Sequence, residues 1–207
     1  MTSPAGDPVN VPPGLYVPTA DGRIVMSGLD WAGYQSLLAL RGERSRPRLA
    51  YLDGAVELMS PSYGHETTGY HIGQVLVFYC LEVGIEISGH KSWTLNKQDD
   101  EAGAEPDECF IFGDHERSEH GWPDLVIEVS WTRGGIDKLE IYRRLGIPEV
   151  WFWEADALRV YVLRGGAYEL QAQSQWVPDL DLPWLLGLTK LPTLNAIRDA
   201  VRVKLAR

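Results

Sequence analysis

The sequence predicts a mixed α/β domain, a central mixed β-sheet flanked by helices. Two patterns predict it: short apolar runs alternating with period two recur from Arg48 onward, and segments with apolar residues at helical spacing are interleaved with them. Size agrees, because 207 residues suit one domain with a real core, and 44% hydrophobic against 23% charged residues is ordinary for a folded chain.

Residues 1–26 read as a flexible, Pro- and Gly-rich lead-in and residues 27–207 as a single domain. VMSGLDWAGYQSLLALRG starts a helix near Leu29, with Ser27 or Asp30 as its cap. In LAYLDGAVELM, alternation puts Leu52, Val56 and Leu58 on one strand face and Asp53, Glu57 and Met59 on the other. Ser60-Pro61 or Ser62 then opens a long helix through Glu82 that Gly84 stops. A short strand around Glu86 and an acidic loop, GHKSWTLNKQDDEAGAE, lead to the strand PDECFIFG.

WPDLVIEVSW is the strongest strand, placing Asp124, Val126, Glu128 and Ser130 on one face and Leu125, Ile127 and Val129 on the other. TRGGIDKLEIYRRLGIP forms a turn and a helix ending at Gly146. EVWFWEAD and a hairpin turning at Gly165-Gly166 complete the sheet, and a helix over Leu194 to Leu205 follows.

Composition excludes several classes. A net charge of −10 weighs against a charge-driven, sequence-independent grip on nucleic acid, so any such contact needs a local basic patch. Cys80 and Cys109 sit in apolar runs without the spacing of a zinc or redox pair and read as buried thiols of a reducing compartment. The polar opening MTSPAGDPVNVPPG lacks the pattern of a secretory signal, and there is no run of 18 apolar residues, so a cytoplasmic location with no membrane partner is expected.

Two acids on core strands require an explanation. Asp107 and Glu128 lie on strands joined by a polar connection that can pair as neighbours, and alternation lets both carboxylates emerge on one face. Like charges so placed repel unless a cation lies between them, and a hard divalent ion prefers carboxylate oxygens on rigid supports. Lys138 shares an inward helical stripe with Tyr142 and Leu145, which points its ammonium at the sheet, where it can orient or deprotonate a water or stabilise charge on phosphorus. A purely structural alternative uses the same residues: Glu128 paired with Lys138 or Arg133, Asp107 capping the turn after Pro106, and Lys138 snorkelling past the apolar stripe.

The strings YLDGAVELMSPSYGHE, EPDECFIF, PDLVIEVSW, DKLEIYRRLGIPEVWFWEAD and VYVLRGGAYEL run in the order seen in the Uma-type restriction endonucleases, and the chain resembles that family over roughly Leu29 to Leu188. The resemblance implies a restriction-endonuclease-like core and membership of the PD-(D/E)XK nuclease superfamily. It further implies a Mg²⁺- or Mn²⁺-dependent endonuclease acting on nucleic acid, DNA in the first instance. Catalytic residues carried over are Glu57, Asp107, Glu128 and Lys138, with Asp107 and Glu128 as the principal metal ligands and Glu57 as a supporting one. One departure is visible: the superfamily signature puts lysine two residues after the second acid, where this chain has Ser130, so Lys138 looks like the migrated replacement.

Weaker signals remain. His65 matches the family's HE position and can approach the site, or else cap its helix; His65 and His71 do not have the spacing of a helical zinc pair, and His71, His90, His115 and His120 read as surface or core residues. Asp124 can orient Lys138 or a bound water, or pair with an arginine, and Ser130 and Tyr142 face inward. Asp99, Asp100 and Glu101 lack the spacing of a calcium loop. Trp151 and Trp153 can stack on bases, pack, or meet a partner; with the apolar stretch LDLPWLLGL they suggest a homodimer. The rival to catalysis is a nuclease-fold interaction or dimerisation module without activity.

Overall fold

The structure is a computed structural model that describes residues 20–91, 93–113, 121–130 and 135–206. Arg133, His115, His120 and the side chain of Ser130 lie outside the described set.

The chain order is β1 (Gly22–Ser27), α1 (Trp31–Arg41), β2 (Arg48–Leu52), β3 (Ala55–Ser60), α2 (Tyr63–Val83), β4 (Ile87–His90), β5 (Leu95–Lys97), β6 (Ala102–Ala104), β7 (Glu108–Phe112), β8 (Leu125–Ser130), α3 (Lys138–Leu145), β9 (Glu149–Glu154), β10 (Ala157–Arg164), β11 (Ala167–Gln171), α4 (Leu182–Leu188) and α5 (Leu194–Leu205). The expected mixed sheet is six-stranded, ordered β11-β10-β9-β8-β7-β4, with β8 and β9 parallel and the remaining pairs antiparallel. A second, antiparallel sheet of five strands, β1-β3-β2-β6-β5, accompanies it.

Alternation along β8 decides the layering. Leu125, Ile127 and Val129 face a core shared with α2, α4 and α5, while Val126 faces a second core shared with Cys109, Val150 and the Ile141, Tyr142 and Leu145 stripe of α3. Ala50, Leu95, Ala102 and Ala104 of the five-stranded sheet close that second core from the other side, so α3 lies between the two sheets. The small alanines on that sheet let the helix approach closely, which fixes where its first residue, Lys138, points. Its N-cap is Asp137, which accepts from Glu140 N, and Gly146 in the left-handed region ends it.

Three expectations are corrected. LAYLDGAVELM is a hairpin and not one strand: Asp53 (φ 45°) and Gly54 (φ 82°) form its two-residue turn, with Leu52 opposite Ala55. Asp-Gly favours that turn because both positions need positive φ, and Glu57 still faces away from Val56 and Leu58 as alternation requires. The lead-in ends earlier than residue 26, because Gly22–Ser27 gains a full antiparallel ladder along β3. The acidic loop contributes β5 and β6, strands of three residues too short to show a period.

The stretches that suggested self-association contribute much of their apolar surface to the chain's own core. Trp151 is fully buried with its indole N–H donating to Glu149 Oε1 (2.5 Å), and Trp153 is buried beside it. LDLPWLLGL forms α4, capped by Asp181, with Leu182, Leu185 and Leu188 buried in the first core. No helix among the described residues is long and apolar enough to cross a membrane.

Candidate active site

Asp30 caps α1 and Ser62 caps α2. From that second cap, helical spacing carries His65, Gly69, Ile72, Gly73 and Leu76 along one buried face. Gly69 sits where an added Cβ would lie 3.4 Å from Val129 Cγ2 and 3.8 Å from Asp107 Cβ. Those are ordinary contact distances, and the packing of this face of α2 on the sheet brings His65 onto Asp107.

Asp107 precedes β7, and continuing the β7–β8 register, in which Glu108 stands opposite Ile127, by one residue sets it opposite Glu128. Its carboxylate does not cap the turn after Pro106. Oδ2 accepts from Val129 N (2.7 Å) and meets His65 Nε2 (2.9 Å), and Oδ1 accepts from Arg48 Nη1. The other ring nitrogen of His65, Nδ1, meets Asp21 Oδ2 at 2.9 Å, so a fully buried imidazole bridges two carboxylates. Burial alone would raise the Asp107 carboxyl, but Arg48, and then His65 and Lys138, outweigh it and hold it well below the usual carboxylate range. Burial opposes the charged form of His65, yet its bonds to Asp107 and Asp21 leave its pKa raised.

Glu128, in the middle of β8, is 1% exposed. Lys138 Nζ donates to its Oε2 at 2.5 Å and the Tyr142 hydroxyl donates to Oε1, one turn further along α3. Burial pushes the Glu128 carboxyl up, with Lys138 opposing and Asp107 adding to the rise. For Lys138, burial is the largest influence and favours the neutral amine, but Glu128, Asp107 and Glu57 outweigh it and keep the pKa raised. The ammonium is the common neighbour of all three acids.

Glu57, 2% exposed, reaches the same place from β3. It accepts from Ile136 N (3.2 Å) and lies 3.4 Å from Arg23 Nε. A Cβ on Gly135 would stand 2.3 Å from Glu57 Oε2, so glycine is what lets the chain before α3 pass over this carboxylate. Glu57, Glu128 and Lys138 line one cleft of about 380 Å³. Asp107 lies behind it, on the Arg48–His65 side.

Sequence reasoning missed Arg48 and Asp21, whose signal was hidden in a loop-flanking strand start and in a segment read as lead-in. Asp124 is not near Lys138; its Oδ2 accepts from Phe112 N at 2.8 Å, at the far end of β8. Glu105, two residues before Asp107, is equally buried but structural: it accepts from Leu49 N, Thr94 Oγ1 and Arg41 Nη1. His71 Nδ1 meets Thr189 O.

By donor type, three carboxylates and no sulfur fit a hard divalent cation. Among the described residues, no three His, Cys, Asp or Glu side chains are grouped closely enough to hold an ion as they stand, since each acid is engaged by protein donors.

A mixed sheet with helices on both faces, carrying acids at the end of β7's lead and within β8 beside an inward lysine, defines a restriction-endonuclease-like α+β domain. Residues 31–193 match the Uma2 family, described as "Putative restriction endonuclease", and the chain belongs to that family. A search of curated proteins finds no match.

Proposed function

We propose that the chain is a metal-dependent endonuclease that hydrolyses phosphodiester bonds in nucleic acid, DNA in the first instance, using Asp107, Glu128, Glu57 and Lys138. The observation that carries this reading is the convergence of Glu57, Glu128 and Lys138 in one cleft, with Asp107 opposite Glu128 on the neighbouring strand. Asp107 and Glu128 would hold Mg²⁺ or Mn²⁺, with Glu57 in support; the bound ion would neutralise the phosphate and lower the pKa of a water.

The chain's own residues supply the rest. With its pKa raised, Lys138 stays an ammonium at neutral pH, which suits it to hold a water and stabilise charge on phosphorus better than to act as a base. Tyr142 and Lys138 hold both oxygens of Glu128, and His65, Arg48 and Val129 N hold Asp107; taking an ion would require these carboxylates to exchange some of those donors for it.

The test is incubation of purified protein with single-stranded, double-stranded and structured DNA in Mg²⁺ or Mn²⁺, beside Asp107→Ala and Lys138→Ala. Metal-dependent cleavage lost in both variants is expected; equal cleavage by all three proteins would sink the assignment. One observation favours a second reading, an interaction module without activity: Arg48 and Lys138 already neutralise the two principal acids. Absence of Mn²⁺ binding in a titration would favour that reading.

A further inference from the structure

Three residues stand in a row across the six-stranded sheet. Glu128 on β8 is the register partner of Phe152 on β9, and Phe152 is the partner of Arg159 on β10. Partners in a ladder point to the same face, and two inter-strand steps set the row's ends roughly 10 Å apart. The same alternation that buries Trp151 and Trp153 in the first core turns Phe152 the other way, into the cleft that holds Glu57, Glu128 and Lys138. Tyr161 joins it from β10, its ring 6.1 Å from that of Phe152 and nearly perpendicular (85°). Both rings are half-buried, and Arg159 is exposed at the cleft's edge.

We propose that Phe152, Tyr161 and Arg159 form a subsite for one unpaired nucleotide next to the acidic centre, with a base against the two rings and an adjacent phosphate on Arg159. The proposal rests on the nuclease reading and adds the substrate class: single-stranded nucleic acid, or a duplex in which one nucleotide is extruded. Aromatic faces bind bases of any sequence, and a guanidinium beside them supplies the phosphate contact. A cleft of about 380 Å³ is at the small end of ligand sites, room for one nucleotide rather than a stacked pair. Among the described residues Arg159 pairs with Glu154, at 3.6 Å with both side chains solvent-accessible, a pairing that a phosphate displaces at little cost. The tryptophans of the WFW run take no part; the ring between them does.

The experiment compares wild type with Phe152→Leu, Tyr161→Leu and Arg159→Ala. Leucine keeps apolar volume against the second core and removes the π face, and circular dichroism checks each fold. Affinity for a fluorescent single-stranded oligonucleotide, a blunt duplex and a duplex with one unpaired nucleotide is measured in Ca²⁺, and cleavage of the same three in Mg²⁺ and Mn²⁺. Expected are tighter binding of the two substrates with unpaired bases, a loss of roughly fivefold or more on replacing either ring, and a log–log salt slope shallower by about 0.7 in Arg159→Ala. Ring variants that bind like wild type, while wild type cleaves, overturn the subsite and leave the nuclease reading standing. Ring-sensitive binding without cleavage supports the subsite and removes the nuclease reading. No binding of any substrate overturns both.

Discussion

Lys138 Nζ stands 2.5 Å from Glu128 Oε2, across the gap between the first turn of α3 and the middle of β8. A buried pair of this kind costs desolvation on both sides, and its net contribution to stability is small compared with the penalty for leaving one partner alone. That asymmetry separates a functional from a structural role.

Lys138→Met is expected to destabilise the fold by about 3–5 kcal/mol, because Glu128 keeps its burial and loses its cation. Cleavage should fall by about 10²–10³-fold through loss of transition-state stabilisation. The double variant Glu128→Leu/Lys138→Met should recover part of the stability and none of the activity. Urea denaturation beside a nicking assay reads both.

Glu105 provides the contrast, a buried acid of the same strand approach that holds Arg41, Leu49 N and Thr94 together. Glu105→Ala is expected to cost about 3 kcal/mol or more, from an unpaired buried guanidinium and an orphaned amide. Cleavage per folded molecule should be unchanged. An activity loss exceeding the loss of folded protein would place Glu105 in the site.

Gly135→Ala tests the aim of Glu57. The added methyl meets the end of a flexible side chain, so stability should change by less than about 1 kcal/mol while the Glu57 carboxylate is pushed off Ile136 N. Cleavage at saturating metal should drop by about tenfold, as for a displaced supporting group. Raising the Mn²⁺ concentration should restore part of it.

The Asp21–His65–Asp107 bridge predicts a pH dependence of stability. The raised pKa of His65 makes its contribution complete below its unfolded value of 6.5 and lost as pH rises through the folded value. The lowered pKa values of Asp21 and Asp107 give contributions present above 3.8 and lost as pH falls. The stability difference between wild type and His65→Gln should therefore shrink from pH ~6 to pH ~9 in chelator. A difference independent of pH over that range would mean a neutral imidazole.

Gly54→Ala should cost about 1–2 kcal/mol, since its φ of 82° disfavours a side chain. Thermal denaturation reads it. The β2–β3 hairpin carries Glu57 on one arm and Arg48 on the other, so cleavage should decline in parallel.

Much of this was legible in the sequence because it is periodic. Period two along LVIEVS fixes Glu128 on the face opposite Leu125, Ile127 and Val129; helical period puts Lys138 with Tyr142 and Leu145; and Ser62, Gly84 and Gly146 mark helix ends by local chemistry. Family resemblance supplied Glu57, Asp107, Glu128 and Lys138 as a set. Reading one continuous period missed the β2–β3 hairpin, whose turn shifts the phase so that Leu52 lies on the face of Ala50 and Glu57 and not with Val56 and Leu58, and it could not show the three-residue strands β5 and β6.

What only tertiary structure decided is which charges meet. Arg48 and Asp107 are 59 residues apart, His65 and Asp107 42, and Glu57 and Ile136 79. No local pattern encodes such pairs, because they follow from the packing of α3 between two sheets and of α2 on β8. By itself the sequence determined that Glu57 faces away from Val56 and Leu58, Glu128 away from Leu125, Ile127 and Val129, and Phe152 away from Trp151 and Trp153, since that is backbone geometry. The fold decided that Phe152 shares a cleft with Glu128 while its flanking tryptophans are core, because only sheet register and the helices on each face assign one side to solvent and the other to the interior.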